Sequence, residues 1–340
     1  MYQNLLFFET KLFWEFFVMC FLFYLKKYIF LSLLVFGIFS STPYSLVAFE
    51  SGILDSVVGV IPHWPQRKKE GSNKYKNSPE GSAVAIFPGG YLVTNAHVLG
   101  KAKLVDVRLN DGRLLSVEII GSDSITDIAL LKAPEDFPVL KFASKGKLGA
   151  PACAIGNQFG IGLSVTCGVI SGLNRTGLRF NPIEDFIQTD AAVNPGGSGG
   201  ALVNDSGKLL GLVSAIFTKN SDSNIGVNFA TSIRMVLRVA IDLRQFGRVK
   251  LGKSGIIVGS KTEGQMRQST GVPIKQIKKN GAAYKKGIKV GSLITKIGDR
   301  LIRKRTDVSS AFHQFRPGEE VSMEFTYNGR KESVLITLLP

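Results

Sequence analysis

The chain has 340 residues, 44% hydrophobic and 20% charged, a composition that excludes a mainly disordered protein and, at about 150 residues per domain, suffices for two globular units. Three cysteines exclude a disulfide-framework fold and, without a CxxC pair, suggest no metal site, and only three histidines occur (His63, His97, His313), which does not point to a multi-histidine centre, so no metal or other cofactor is expected. The net charge of +16 is uneven: +1 over residues 1–48, +3 over 49–247 and +12 over 248–340, which points to two units with different surfaces.

From Leu12 to Phe49 the sequence is dominated by Phe, Leu, Ile and Val, interrupted by Glu15 and by Lys26-Lys27. The run YIFLSLLVFGIFS (28–40), behind those lysines, has the length and basic flank of a signal-peptide core. STPYSLVA then supplies small residues, although Leu46 is poorly suited two places before a cleavage after Ala48. Residues 28–49 also meet the ~20-residue length of a bilayer span. Residues 1–49 are therefore read as a signal peptide or an uncleaved membrane anchor, with Met19 as an alternative start. The basic stretch 62–80 has no apolar period and reads as an exposed loop.

Short β-rich runs follow: SAVAIF, YLVTN, LVDVRL, LLSVEII and IALL, then PACAIG, LSVTCGVIS, DFIQTD, GALVN, KLLGLVSAIF and GVNFA. Asn110-Asp111-Gly112 is a hairpin signal. Strands this short, at roughly ten-residue spacing, indicate antiparallel barrels or sandwiches. From Thr231 the period changes: Ile233, Val236, Leu237, Ala240, Ile241 and Phe246 fall on one helical face, and Gly247 is a stop signal. Cys153 and Cys167 lie nearly equidistant from the turn at Phe159-Gly160. In an antiparallel hairpin they could face each other, and export permits a disulfide; two separately buried thiols are the more usual outcome and the one expected.

Three segments carry chemistry. In Asn194-Pro195-Gly196-Gly197-Ser198-Gly199-Gly200 a serine lies between glycines, where a tight turn can aim the Gly196 and Ser198 N–H groups at one point, as an oxyanion requires. A glycine-rich link between strands is the commoner use of such a sequence. Thr94-Asn95-Ala96-His97 ends a strand and supplies a base able to take a serine proton near neutral pH. His97 is the one candidate in the β region, since His63 falls in the basic loop and His313 on a helix further on. Thr126-Asp127 leads into an apolar run, so Asp127 should be partly buried and needs a partner such as His97. Each segment alone has a bland structural explanation; their conjunction, in the order His, Asp, Ser at strand edges, does not.

GYLVTNAHVL, DIALLK, AIGNQFGIG and QTDAAVNPGGSGGALVN resemble the HtrA/DegP family of trypsin-like serine proteases, and the match runs in family order from about Ser82 to the end. The resemblance implies a mainly β fold: two six-stranded antiparallel β-barrels of chymotrypsin type over residues 50–247, with a triad in their cleft, then an α+β PDZ domain over 248–340. It further implies an exported serine endopeptidase of the periplasm, tied to the inner membrane if the anchor is retained. Such an enzyme degrades misfolded or damaged envelope proteins under stress and assembles as a trimer or a higher multiple. By position His97 matches the family's base, Asp127 its orienting acid and Ser198 its nucleophile. Val193, Phe217 and Val227 match its specificity pocket; all are apolar, so cleavage after Val, Leu, Ile or Ala is expected. Gly197 departs from the family's usual Asn, and this predicts an oxyanion loop less ordered without substrate. By analogy, 174–185 and 218–224 are candidate regulatory loops.

GAAYKKGIKVGSLITKIGD is similar to the family's PDZ signature. Such domains bind an extended C-terminus as an added strand, and Ser254, Gly255 and Ile256 would form the carboxylate loop. Val308, Ala311, Phe312 and Phe315 share a helical face. The basic surface reads as solvated, with acidic peptides or anionic lipid heads as alternatives; aromatics for base stacking are not clustered with it, so no nucleic acid is expected. The alternative function is a protease-chaperone or scaffold in which substrate binding dominates.

Overall fold

The structure, a computed structural model, describes residues 51–63, 81–216, 225–263 and 270–340, with Met19, Phe21 and residues 23–27. The chain divides into two units, Met1–Ala48 and Phe49–Pro340. In the first, Met19, Phe21 and residues 23–27 are helical and exposed. The expected cleavage or anchor region 28–49, residues 64–80 of the basic stretch, Phe217 and the candidate loop 218–224 lie outside the described residues.

The second unit opens with a 3-10 turn, Ser51–Ser56, and β1 (Val57–His63). Of the basic stretch expected as a loop from residue 62, Pro62 and His63 thus lie on a strand instead, where His63 Nε2 meets Asp106 Oδ2 at 2.8 Å. Next come β2 (Gly81–Phe87), β3 (Tyr91–Thr94), the single turn α1 (Ala96–Leu99), β4 (Leu104–Arg108), β5 (Leu114–Asp123) and β6 (Ile128–Lys132). These strands close an antiparallel barrel in the order β1-β2-β3-β6-β5-β4. Val58, Val60, Ala85, Leu92, Val107, Ala129 and Leu131 fill it.

The second barrel comprises β7 (Pro151–Gly156), β8 (Ser164–Arg175), β9 (Phe186–Thr189), β10 (Ala201–Asn204), β11 (Leu209–Ile216) and β12 (Asn228–Ser232), ordered β10-β11-β12-β9-β8-β7. Cys153 and Cys167 are register partners on β7 and β8, with Cα atoms 4.1 Å apart. This is the close spacing of a non-hydrogen-bonded antiparallel pair, and the two sulfurs are bonded as a disulfide, not held as two separate thiols.

The expected helix is α2 (Ile233–Phe246). Ser232 caps it by accepting the Met235 N–H, and Gly247 ends it in the left-handed conformation (φ 65°) that glycine adopts freely. Its apolar face lies against β5, β6, β11 and β12, so it braces both barrels.

The chain then forms β13 (Ile256–Val258), β14 (Val272–Ile277), α3 (Ala282–Lys285), β15 (Leu293–Ile297), β16 (Arg300–Leu301), α4 (Arg305–His313), β17 (Glu320–Tyr327) and β18 (Arg330–Thr337). The sheet order is β13-β14-β15-β17-β18, with β16 on β15, and the core includes Ile274, Ile294, Val308, Ala311, Val321 and Ile336. Buried polar contacts join this sheet to the second barrel. Arg300 Nη1 donates to Asp185 Oδ1 at 2.9 Å, and Thr176 Oγ1 donates to Asp307 Oδ1 at 2.7 Å.

Candidate active site

His97 stands on α1, which leaves β3 where that strand meets β6. Asp127 sits in the turn just before β6 with a left-handed backbone (φ 60°), a conformation that a non-glycine residue keeps only when its surroundings enforce it. Both carboxylate oxygens serve His97: Oδ1 accepts its backbone N–H at 2.8 Å, and Oδ2 meets its Nδ1 at 2.7 Å. A carboxylate oxygen accepts, so Nδ1 bears the hydrogen and Nε2 presents its lone pair. The Asp127 side chain is 10% exposed and the imidazole 52%, which leaves the ring fixed from behind and open in front. Asn95 secures the turn, its Nδ2 donating to Asp127 O at 3.0 Å and to Ser214 Oγ on β11 at 3.3 Å.

Residues 194–200, leading into β10, form two overlapping tight turns. Asn194 O accepts the Gly197 N–H at 2.9 Å, and Gly197 O accepts the Gly200 N–H at 3.0 Å. Pro195 O accepts the Phe159 N–H at 2.6 Å, Gly196 O accepts the Ser82 hydroxyl at 2.6 Å, and Ser198 O accepts the Ser82 N–H at 2.7 Å. Gly199 N–H donates to Val213 O at 2.8 Å. Among the described residues, the N–H groups of Asn194, Gly196 and Ser198 are the three in this loop that donate to no protein acceptor, and Gly196 and Ser198 are the pair expected to face an oxyanion. Glycine is required by contact: a Cβ on Gly199 (φ 85°) would lie 2.0 Å from Ser82 O, and one on Gly196 (φ 91°) 2.3 Å from Asn157 O. The peptide planes on either side of Gly197 are each held by a hydrogen bond, Gly197 N–H on Asn194 O and Gly200 N–H on Gly197 O.

His97 and Asp127 are therefore paired as expected, and Ser198 is linked to the same barrel edge through Ser82, whose carbonyl accepts the Thr94 hydroxyl at 2.7 Å. His97 Nε2 and Ser198 Oγ, by contrast, are not hydrogen-bonded to each other; such bonds often tighten only when substrate binds. Val193 is buried and Val227 half-buried. The Ser254–Ile256 segment packs on α3: Ser254 O accepts the Ala283 N–H at 3.0 Å, Gly255 O the Lys278 N–H at 2.8 Å, and Ile256 N–H donates to Ser254 Oγ at 3.2 Å. Among the described residues no group of three or more His, Cys, Asp or Glu side chains could hold a metal ion. Ser82, Asn157 and Ser214 were not foreseen as parts of the site; a serine near the start of an apolar strand gives no chemical signal until its neighbours are known.

Residues 81–212 match the trypsin-like peptidase domain family, and residues 233–338 match the PDZ domain family. The periplasmic serine endoprotease DegP of Salmonella typhimurium is 35% identical over 279 residues, 79% of this chain and 58% of that protein. The periplasmic pH-dependent serine endoprotease DegQ of Escherichia coli is 35% identical over 269 residues, 76% of this chain and 59% of its own length. The chain thus spans less than three fifths of the curated relatives it matches. Among solved structures, the HtrA-type protease AlgW with a decapeptide superposes with a TM-score of 0.63 at 31% identity, covering 85% of this chain and 97% of AlgW. AlgW with a tripeptide gives 0.64 at 33% identity, covering 85% and 96%. Two closed barrels, a PDZ sheet and an alignment running nearly the whole length of AlgW place this chain in the HtrA/DegP family of trypsin-like serine proteases.

Proposed function

We propose that the chain is a serine endopeptidase acting through an acyl-enzyme, with His97, Asp127 and Ser198 as its triad. The observation that carries the reading is the commitment of both Asp127 oxygens to His97, which leaves Nε2 as a bare acceptor, while the Ser82 N–H on Ser198 O ties the turn that bears Ser198 to the same barrel. Nε2 takes the Ser198 hydroxyl proton as Oγ bonds to the scissile carbonyl carbon. The displaced π pair becomes an oxyanion received by the Gly196 and Ser198 N–H groups. Collapse of that intermediate breaks the C–N bond, and His97 returns the proton to the leaving amine. Water then attacks the acyl-serine with His97 again as base, releasing the new carboxyl end and restoring the hydroxyl.

The remaining assignments belong to the same reading: export to the periplasm, as for the relatives; unfolded or misfolded envelope polypeptides as substrates; and assembly as a trimer or higher multiple. Val193, Phe217 and Val227 form an apolar specificity pocket, and the Ser254–Ile256 loop docks C-terminal peptides. Contacts between segment 174–185 and the PDZ sheet, through Thr176 and Asp185, make that segment the candidate relay between peptide docking and the site. A fluorophosphonate probe and unfolded casein test the proposal. Wild type is expected to be labelled at Ser198 and to cleave casein after small or branched apolar residues, and Ser198→Ala to do neither. Absence of labelling in folded wild type, with aggregation suppression intact in Ser198→Ala, would establish a chaperone instead.

A further inference from the structure

We infer that Ser82 is a positioning residue for the oxyanion-binding turn, an inference that rests on the serine-protease reading above. Ser82 lies on β2 of the first barrel and is fully buried. Each of its polar groups is bonded, and its N–H and hydroxyl are used at the junction with the second barrel. Its N–H donates to Ser198 O at 2.7 Å, and its carbonyl accepts the Thr94 hydroxyl at 2.7 Å. Its hydroxyl donates to Gly196 O at 2.6 Å and accepts the Asn157 N–H at 2.9 Å.

The hydroxyl is the part that a generic core serine would not need. Gly196 joins two peptide planes, and its N–H can face an oxyanion only if both keep their orientation. The plane before it is held by Phe159 N–H on Pro195 O; a trans peptide points its N–H opposite its carbonyl, so Gly196 N–H faces away from Phe159. The plane after it is held by the Ser82 hydroxyl on Gly196 O. Gly196 and Gly197 lack the Cβ atoms that would resist rotation, so a hydrogen bond does here what a side chain at 197 would otherwise help to do. The same hydroxyl receives Asn157 N–H and so ties the tip of the β7–β8 hairpin, which carries Phe159, to the turn that it supports.

Ser82→Ala removes one donor and one acceptor while leaving the backbone bonds to Ser198 and Thr94. The expected result is a fall in kcat of roughly tenfold to a hundredfold with KM unchanged, since the contacts that bind substrate are intact and transition-state stabilisation is not. Fluorophosphonate labelling of Ser198 and affinity for a peptide boronate, which forms a tetrahedral adduct, are expected to fall by a similar factor. Ser82→Cys, which keeps the shape with a weaker donor, should lie between. Folding of each variant is checked by circular dichroism. If wild type itself is not labelled, the protease reading fails. If wild type is labelled and the folded Ala and Cys variants react at its rate, only the role of Ser82 fails. Variants that lose the fold together with activity would reduce Ser82 to a core residue and overturn the inference as well.

Discussion

His313 makes the structure sensitive to acid. It ends α4 with its ring buried and its Nε2 without a partner among the described residues. Burial pushes its pKa from the ordinary 6.5 down to about 4; Asp123 at the end of β5 opposes this, Arg238 on α2 adds to it, and Asp242 on α2 opposes it. The folded state therefore holds a neutral imidazole where the unfolded chain would already be protonated. Stability is full above pH 6.5, falls as pH drops toward 4, and loses nothing more from this group below that. The loss at pH 4.5 is about 2–3 kcal/mol for a shift from 6.5 to about 4. Replacement by a similarly sized apolar residue, His313→Leu, removes the titration without stranding a hydrogen-bond partner. Thermal unfolding of wild type and variant is compared at pH 7.5 and 4.5. The acid-induced drop in Tm is expected to be smaller in the variant by roughly 5–8 °C, because carboxylates that titrate in both proteins cancel. Equal drops would refute the reasoning.

Three other outcomes follow from the same geometry. Replacing Cys153 and Cys167 by alanine opens a bridge between residues 14 apart in sequence, which should cost about 3 kcal/mol in urea unfolding; unchanged stability would mean the bridge constrains nothing. Asp127→Asn leaves a side chain that can accept through only one atom, so His97 can no longer be held in the required tautomer, and kcat should fall by about 10⁴ with the fold intact; a loss below about tenfold would argue against His97 as the base. Arg300→Met strands Asp185, whose side chain is 7% exposed, and should destabilise by about 3–5 kcal/mol, whereas adding Asp185→Leu should recover most of that loss; a double variant as unstable as the single one would show that the ion pair itself is required.

Much of this architecture is legible in the sequence, and the exceptions have physical causes. The strands YLVTN and PACAIG and the helix from Ile233 announce themselves through period and punctuation, because each has bounded apolar runs ending at glycine, proline or a cap. β1 does not: VVGVIPH is buried on nearly every residue, so no alternation distinguishes it, and it leads into a stretch rich in lysine. The proposed triad is readable because Asp127 and His97 are expensive to place beside apolar strands without a partner. Ser82 is equally buried yet silent, since a serine costs little wherever its hydroxyl finds a bond, and its bonds come from residues 75 and 114 positions away. The Cys153–Cys167 bridge runs against the expectation of two separate thiols for a related reason: equidistance from a turn allows the pairing, but only the register of β7 against β8 fixes it.

The proposed site is divided between the barrels. His97, Asp127 and Ser82 belong to the first barrel, whereas Ser198, Phe159 and Ser214 belong to the second. The bonds that assemble the site are the bonds that dock the barrels: Ser82 N–H to Ser198 O, Asn157 N–H to Ser82 Oγ, and Asn95 Nδ2 to Ser214 Oγ. A shift of one barrel by even an ångström would break the proposed oxyanion turn before it disturbed either hydrophobic core, because hydrogen bonds at 2.7–3.3 Å weaken over that distance far faster than dispersion contacts spread across many atoms. α2, laid across β5, β6, β11 and β12, resists that shift, and the PDZ sheet is anchored to the same helix where Arg316 donates to Asp242 at 2.7 Å. Movement at the PDZ sheet therefore has a direct mechanical route to the interface on which the proposed chemistry depends.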